Sequence, residues 1–350
     1  MNLSHIKTVE DLKHYLYLAM QLEHATIPVY TTALYSIVPG SNPDASHILR
    51  VVAVEEMLHL TLVANMLNAI GGKPDLTRKG FVPTFPTALP DGETDFEVSL
   101  MKFSQEAVET FCKIERPGAV AEGTSRHRKK VSKGAQLAPV PHDDSLSFYS
   151  IGEFYEEIRH GFDNLYKEMG DKLFCGDPKR QATAEYYYSG GGELFAVTDI
   201  KSAEAAINLI AVQGEGLGGA IYDNEGELSH YYRFDQLRRG RYYQKGDKSH
   251  EPTGPTFSVD WTAVYPLKTN TRLADLTGSK ELYDAAAAFN RLYADFLKQL
   301  TAAYNGDPAL LIKAVHSMFH VRDGILQLMH NRIPGSDSLN ASPTFEIGGV

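Results

Sequence analysis

Between residues 45 and 70 the sequence reads as one helix, and at its middle stands the run Glu55-Glu56-Met57-Leu58-His59. One and two turns from Glu56 lie Leu49, Val52, Ala53, Leu60 and Val63, all apolar. Glu56 therefore sits on a stripe that has to face a core. A carboxylate in that position is costly unless it is paired or bound to a metal. His59 follows three residues later, so its ring and the Glu56 carboxylate share one helix face. Helix bundles use this spacing to hold two metal ions in their core. The feature points to an all-α bundle whose other helices supply the missing ligands.

Residues 9 to 36 read as a second helix, with Leu12, Leu16, Ala19, Glu23, Ile27 and Tyr30 in one row. Glu23 repeats the anomaly of Glu56, an acid embedded in an apolar stripe. Pro28 falls late in this segment and predicts a kink or a local distortion. The run Pro39 to Asp44 is a turn in which Asp44 or Ser46 is placed to cap the next helix. Gly71-Gly72-Lys73-Pro74 ends that helix. So short a turn makes the two helices antiparallel neighbours and brings Glu23 towards Glu56 and His59.

Residues 75 to 145 lose the helical period and read as an insertion over one end of the bundle. One helix is expected around Ser104 to Cys112, and a flexible loop from Gly118 to Asp144. Further helices are expected over 146–170, Ser202 to Gln213, about Glu225 to Arg238, 279–304 and 307–331, with Leu194 to Val197 as a short strand. The last two helices form a hairpin around Asn305-Gly306-Asp307. The expected organisation is a bundle over 1–240 that contains the 75–145 insertion, then an irregular segment and a helical hairpin over 241–350.

At 350 residues the chain can bury a large core. Its net charge of −10 argues against a nucleic-acid binder, which would show a basic stripe. The cluster from Arg126 to Lys133 reads as a solvated loop. No apolar run reaches membrane-spanning length, and the first residues carry no apolar targeting core. Cys112 and Cys175 stand apart without ligand-like pairing. These observations make a cytoplasmic protein the expectation, with a small-molecule substrate and, at most, a second copy of the chain as partner.

Glu-x-x-His occurs at Glu56/His59, Glu157/His160 and Glu227/His230, where chance would give about one such pair. Glu157 and His160 lie opposite the stripe of Ile151, Phe154, Tyr155, Ile158, Phe162 and Leu165, so a solvated face is the better reading. Glu227 and His230 share a face with Tyr231, Phe234 and Leu237. An O₂-activating di-iron bundle needs about four carboxylates and two imidazoles from its helices, and spacing alone leaves the set open. His316 and His320 sit among Phe319, Val321 and Ile325 and read as core or interface residues of the hairpin. The tyrosines at 186–188 and 231–232 either line an aromatic pocket or simply pack.

Several segments then resemble one family in the right order across about residues 9–240. They are Gln21 to Tyr30, Val54 to Leu60 with Asn65 and Ala69 to Gly72, Phe111 to Pro117, Ser150 to Tyr155, Gln213 to Gly216, and Ser229 to Phe234. The chain resembles the ferritin-like domain of iminophenyl-pyruvate dimer synthases, found in enzymes that couple oxidised tryptophan units in the violacein and rebeccamycin pathways. The resemblance implies a ferritin-like four-helix bundle with non-haem iron, two ions and O₂ as co-substrate, and oxidative chemistry on a small amino-acid-derived metabolite. It also implies Glu23, Glu56, His59, Glu153, Glu215 and His230 as ligands; because Glu153 lies off its apolar stripe and Glu215 in a glycine-flanked break, Glu157 or Glu227 stays open as a replacement for either. The competing functions are a ferroxidase or iron-handling protein and a metal-free binding protein on the same fold.

Overall fold

The computed structural model describes residues 4–91, 95–118, 148, 150–187, 191–216, 220–223 and 225–347. The expected loop over 118–144, with its basic cluster, falls almost wholly outside them. Helix α1 spans Val9–Ser36 and starts in a capping box, in which Thr8 accepts from the Asp11 amide and the Asp11 carboxylate accepts from the Thr8 amide. The helix runs on through Pro28, and the Thr32 hydroxyl donates to the Pro28 carbonyl at 2.6 Å. After a short turn α2 spans Pro43–Ala69, with Pro43 in its first turn and Asn42 in the left-handed region at φ 44°. Neither Asp44 nor Ser46 caps it. The Asn42 side chain instead brackets the backbone of Asp260, donating to its carbonyl at 2.9 Å and accepting from its amide at 2.8 Å.

Helices α3 (Gln105–Ile114), α4 (Ile151–Met169) and α5 (Ile200–Gly214) follow. Then come α6 (His230–Arg239), α7 (Lys280–Ala303) and α8 (Leu310–Met329). The bundle closes as a ring in which α1 packs on α2, α2 on α5, α5 on α4 and α4 on α1. Helices α3 and α6 pack on each other, and α6 reaches α2 and α5. The α7–α8 hairpin packs through α8 on α1. It is tied further by Tyr293 to His24 at 2.9 Å and by the Asn68 amide to the Tyr304 carbonyl at 2.6 Å. With neighbours on every side, α1 is buried without a break from Ala19 to Tyr30. That continuous burial explains why acids on α1 have to be partnered.

Four expectations are corrected. Helix α6 begins at His230, not near Glu225, because Gly226 in the left-handed region closes a turn there. Residues 194–197 form no strand, and the described residues contain only isolated β-bridges. Their backbone groups are met by side chains: Asn65 donates to the Phe195 carbonyl, and Gln181 bonds both N–H and C=O of Val197. Glu157 is buried and accepts from the Ser4 hydroxyl and the backbone amides of His5 and Ile6, so it anchors the segment before α1. His316 and His320 lie exposed on α8, not in a core.

Candidate metal centre

Five buried side chains from four helices converge inside the bundle. Glu23 comes from mid-α1 and Glu56 and His59 from mid-α2; Glu115 is the C-cap residue of α3, and His230 opens α6. Glu23, Glu56 and His59 form one group whose donor atoms lie within 4.8 Å of one another, and Glu56, Glu115 and His230 form a second. Glu56 belongs to both. His59 Nδ1 is 3.4 Å from Glu23 Oε2 and 3.8 Å from Glu56 Oε1. His230 Nδ1 is 3.0 Å from Glu56 Oε1 and 3.5 Å from Glu115 Oε2. The two imidazoles stack with centroids 5.5 Å apart.

Each carboxylate has one oxygen occupied from outside. The Tyr155 hydroxyl donates to Glu23 Oε1, the Tyr30 hydroxyl to Glu115 Oε1, and the Thr26 hydroxyl to Glu56 Oε2 at 2.8 Å. The other oxygen of each faces its histidine. The imidazoles are oriented in the same way. Gln213 Nε2 donates to the Gly191 carbonyl, which can only accept, so Gln213 Oε1 faces His59 Nε2 at 2.8 Å and His59 must donate there. His230 Nε2 donates to Glu55 Oε2 at 2.8 Å, and Arg233 holds that oxygen at 2.9 Å. Each ring therefore commits its outer N–H to a fixed acceptor and turns Nδ1 inward, the nitrogen that would ligate a metal ion on giving up any proton it holds.

The electrostatics describe a centre short of positive charge. Burial, and then repulsion from Glu115 and Glu23, pushes the Glu56 carboxyl up to about 7. Burial lowers both imidazoles, but the surrounding carboxylates outweigh it and hold His59 above its ordinary value and His230 well above. Glu55 behaves oppositely: burial raises it, yet His230 and Arg233 hold it below the usual carboxylate range. His230 Nδ1 is buried without a well-directed hydrogen bond, although Glu56 Oε1 is 3.0 Å away. A cation between these groups would satisfy the orphaned nitrogen and relieve the carboxylate repulsion together. Three carboxylates and two imidazoles, with no thiolate, suit iron or manganese better than structural zinc.

The structure thus brings together Glu23, Glu56, His59 and His230 from the sequence-derived set and adds Glu115. Glu153 and Glu215 fall in neither donor group. Glu153 is half-buried in the first turn of α4. Glu215, the C-cap residue of α5, is buried and accepts from the amides of Gly152 at 2.5 Å and Gly118 at 3.2 Å. A Cβ at Gly152 would stand 2.5 Å from Glu215 Oε2, so a larger residue there would displace this carboxylate. Glu227 lies before α6, its side chain 65% exposed, 3.2 Å from Arg233.

Burial raises the Glu215 carboxyl to about 8 against the opposing pull of those amides. The folded chain therefore holds a proton there that the unfolded chain releases, and stability should fall as pH rises from about 4.5 to about 8. Each pKa unit is worth roughly 1.4 kcal/mol. In Glu215→Gln the melting temperature of metal-free protein should fall less over that range than in wild type. An amide facing two N–H donors adds only a pH-independent offset, so the slope is the readout. Equal slopes would remove Glu215 as the source.

Glu115 carried a signal that the sequence offered. It stands one turn beyond Phe111 and Cys112 and two beyond Val108, on the buried face of α3. That is the same acid-on-an-apolar-stripe anomaly that marks Glu23 and Glu56. The outer partners Thr26, Tyr30, Tyr155 and Gln213 carried no such signal, because hydroxyls and amides on helices are ordinary.

The ferritin-like family model matches residues 16–239, a stretch that contains all five converging residues. The chain belongs to the ferritin-like family. A crystal structure of a ferritin-like protein from Caulobacter vibrioides has the same fold, with TM-score 0.62, 24% identity and coverage of 97% of this chain and 98% of that one. Dichlorochromopyrrolate synthase from Lentzea aerocolonigenes is 26% identical over 326 residues. That alignment takes in 85% of this ferritin-like chain but 29% of the synthase, so the chain spans less than a third of that relative's length. Among the described residues no helix is long and apolar enough to cross a membrane.

Proposed function

We propose that this chain is a non-haem iron enzyme that uses O₂ to oxidise a small amino-acid-derived metabolite. The observation that carries the reading is the pair of buried Glu/His groups joined through Glu56. The proposed ligands are Glu23 and His59 on one side, Glu115 and His230 on the other, and Glu56 between them. Iron held there would supply electron exchange with O₂. The chain's own residues do the rest. Tyr155, Tyr30 and Thr26 fix which oxygen each carboxylate turns inward, and Gln213 and Glu55 fix the imidazole tautomers. The apolar packing of α1 and α2 keeps bulk water from the site.

The substrate class rests on the likeness to a biosynthetic enzyme, the dichlorochromopyrrolate synthase. Oxygen-electrode traces of reduced, iron-loaded protein, with and without tryptophan- and tyrosine-derived acids, test the whole reading. O₂ uptake that rises severalfold, or yields a new organic product, with one of those compounds is the expected result. Uptake that tracks only added ferrous ion, unaltered by any organic compound, would replace the oxidase with a ferroxidase. Iron content at background after growth in iron would leave a metal-free binding protein.

A further inference from the structure

The two halves of the centre have matching donor sets but different outer partners. Each has one terminal carboxylate, one imidazole and a share of Glu56. Behind His59 stands the carbonyl oxygen of Gln213, part of a neutral amide anchored on the Gly191 backbone. Behind His230 stands the Glu55 carboxylate, at the same 2.8 Å, and buried with the Arg233 guanidinium on its outer side. A carboxylate accepting the outer N–H of an imidazole raises the basicity of the inner nitrogen more than an amide carbonyl does, because the full negative charge is transmitted through the ring.

We infer that the half-sites are unequal and load in order, with the Glu115/His230 half taking the first divalent cation and the Glu23/His59 half the second. Glu55 acts as the positioning residue that sets this order. The inference rests on the proposed metal centre. Loading in a fixed order gives the chain a state with one ion on the α3–α6 side and an open α1–α2 side. In that state Glu56 is already committed to the first ion when the second arrives.

Two cations that share one carboxylate repel each other, so two resolved binding steps alone would prove nothing about order. The identity of the tight half-site is what decides. Cobalt(II) is the probe, titrated into metal-free full-length chain under argon and followed by its visible ligand-field bands and by calorimetry. Wild type should show two steps about 10–100-fold apart in affinity. Glu115→Ala should lose the tight step and keep the weak one, while Glu23→Ala should do the reverse. Glu55→Gln should weaken the tight step about 10–100-fold and leave the weak step within about twofold, a selectivity that general loss of structure would not produce. The Glu115→Ala and Glu23→Ala arms decide the order even where Glu55→Gln fails to fold. A tight step that survives in Glu115→Ala and vanishes in Glu23→Ala would overturn the order while leaving the metal centre standing. Absence of cobalt binding by wild type would overturn the metal centre and the order with it.

Discussion

Glu56→Ala leaves the bundle folded and empties both half-sites of metal. The expectation follows from position: Glu56 is the residue common to the two donor groups, whereas Glu23 and Glu115 each serve one. Glu23→Ala and Glu115→Ala should each remove metal from their own half and spare the other. The fold should survive in all three, because the apolar stripe around Glu56 belongs to an extensively buried α2 that packs on α1, α5 and α6. In metal-free protein the substitution removes a carboxylate that burial and two like charges already disfavour. Metal per chain after iron loading, with thermal melting of the same samples, gives both readouts. Full occupancy in a folded Glu56→Ala protein would sink the assignment of a shared ligand. A variant that binds only in one half would show that Glu56 serves a single ion.

Helices α1 and α2 were legible from sequence because each carries a long apolar period between strong stop signals. The anomaly of an acid on that period exposed Glu23 and Glu56 at once. Legibility failed where function passes from helix interiors to helix ends. Glu115 caps α3 and His230 opens α6, so neither has a full turn of periodic neighbours on both sides. His230 was still found, through the Glu-x-x-His spacing with Glu227, although that spacing misled as to structure. Glu227 precedes the helix and points to solvent, and the acid that does serve His230 is Glu55, 175 residues away in sequence. Glu157 shows the same limit in reverse: its face of α4 looked polar, yet it is buried because the segment at residues 4–6 folds over it. A contact so distant in the chain leaves no periodic trace.

Arg233 should give the largest loss of stability of any single substitution around the centre. Its side chain is 8% exposed, with Nη1 donating to Glu55 Oε2 at 2.9 Å and Nε donating to the Leu228 carbonyl at 2.6 Å. Arg233→Met leaves the Glu55 carboxylate buried without this cation, a change that costs about 3–5 kcal/mol in comparable buried pairs. For a chain of this size that is a fall of roughly 6–15 °C in melting temperature. Glu227→Ala removes the other partner of the same guanidinium, but at an exposed position, and should move stability by no more than about 0.5 kcal/mol. The double variant Glu55→Leu with Arg233→Met separates two roles of the pair. Replacing both buried charges with apolar groups should restore part of the lost stability, less the roughly 1–3 kcal/mol for the buried His230 Nε2–H left without its acceptor. It cannot restore the carboxylate behind His230, so the tight metal step should stay weakened in a well-folded protein. An Arg233→Met protein that melts with wild type would mean that Glu55 does not depend on this guanidinium. A double variant that regains both stability and tight binding would show that the pair acts on metal only through the fold.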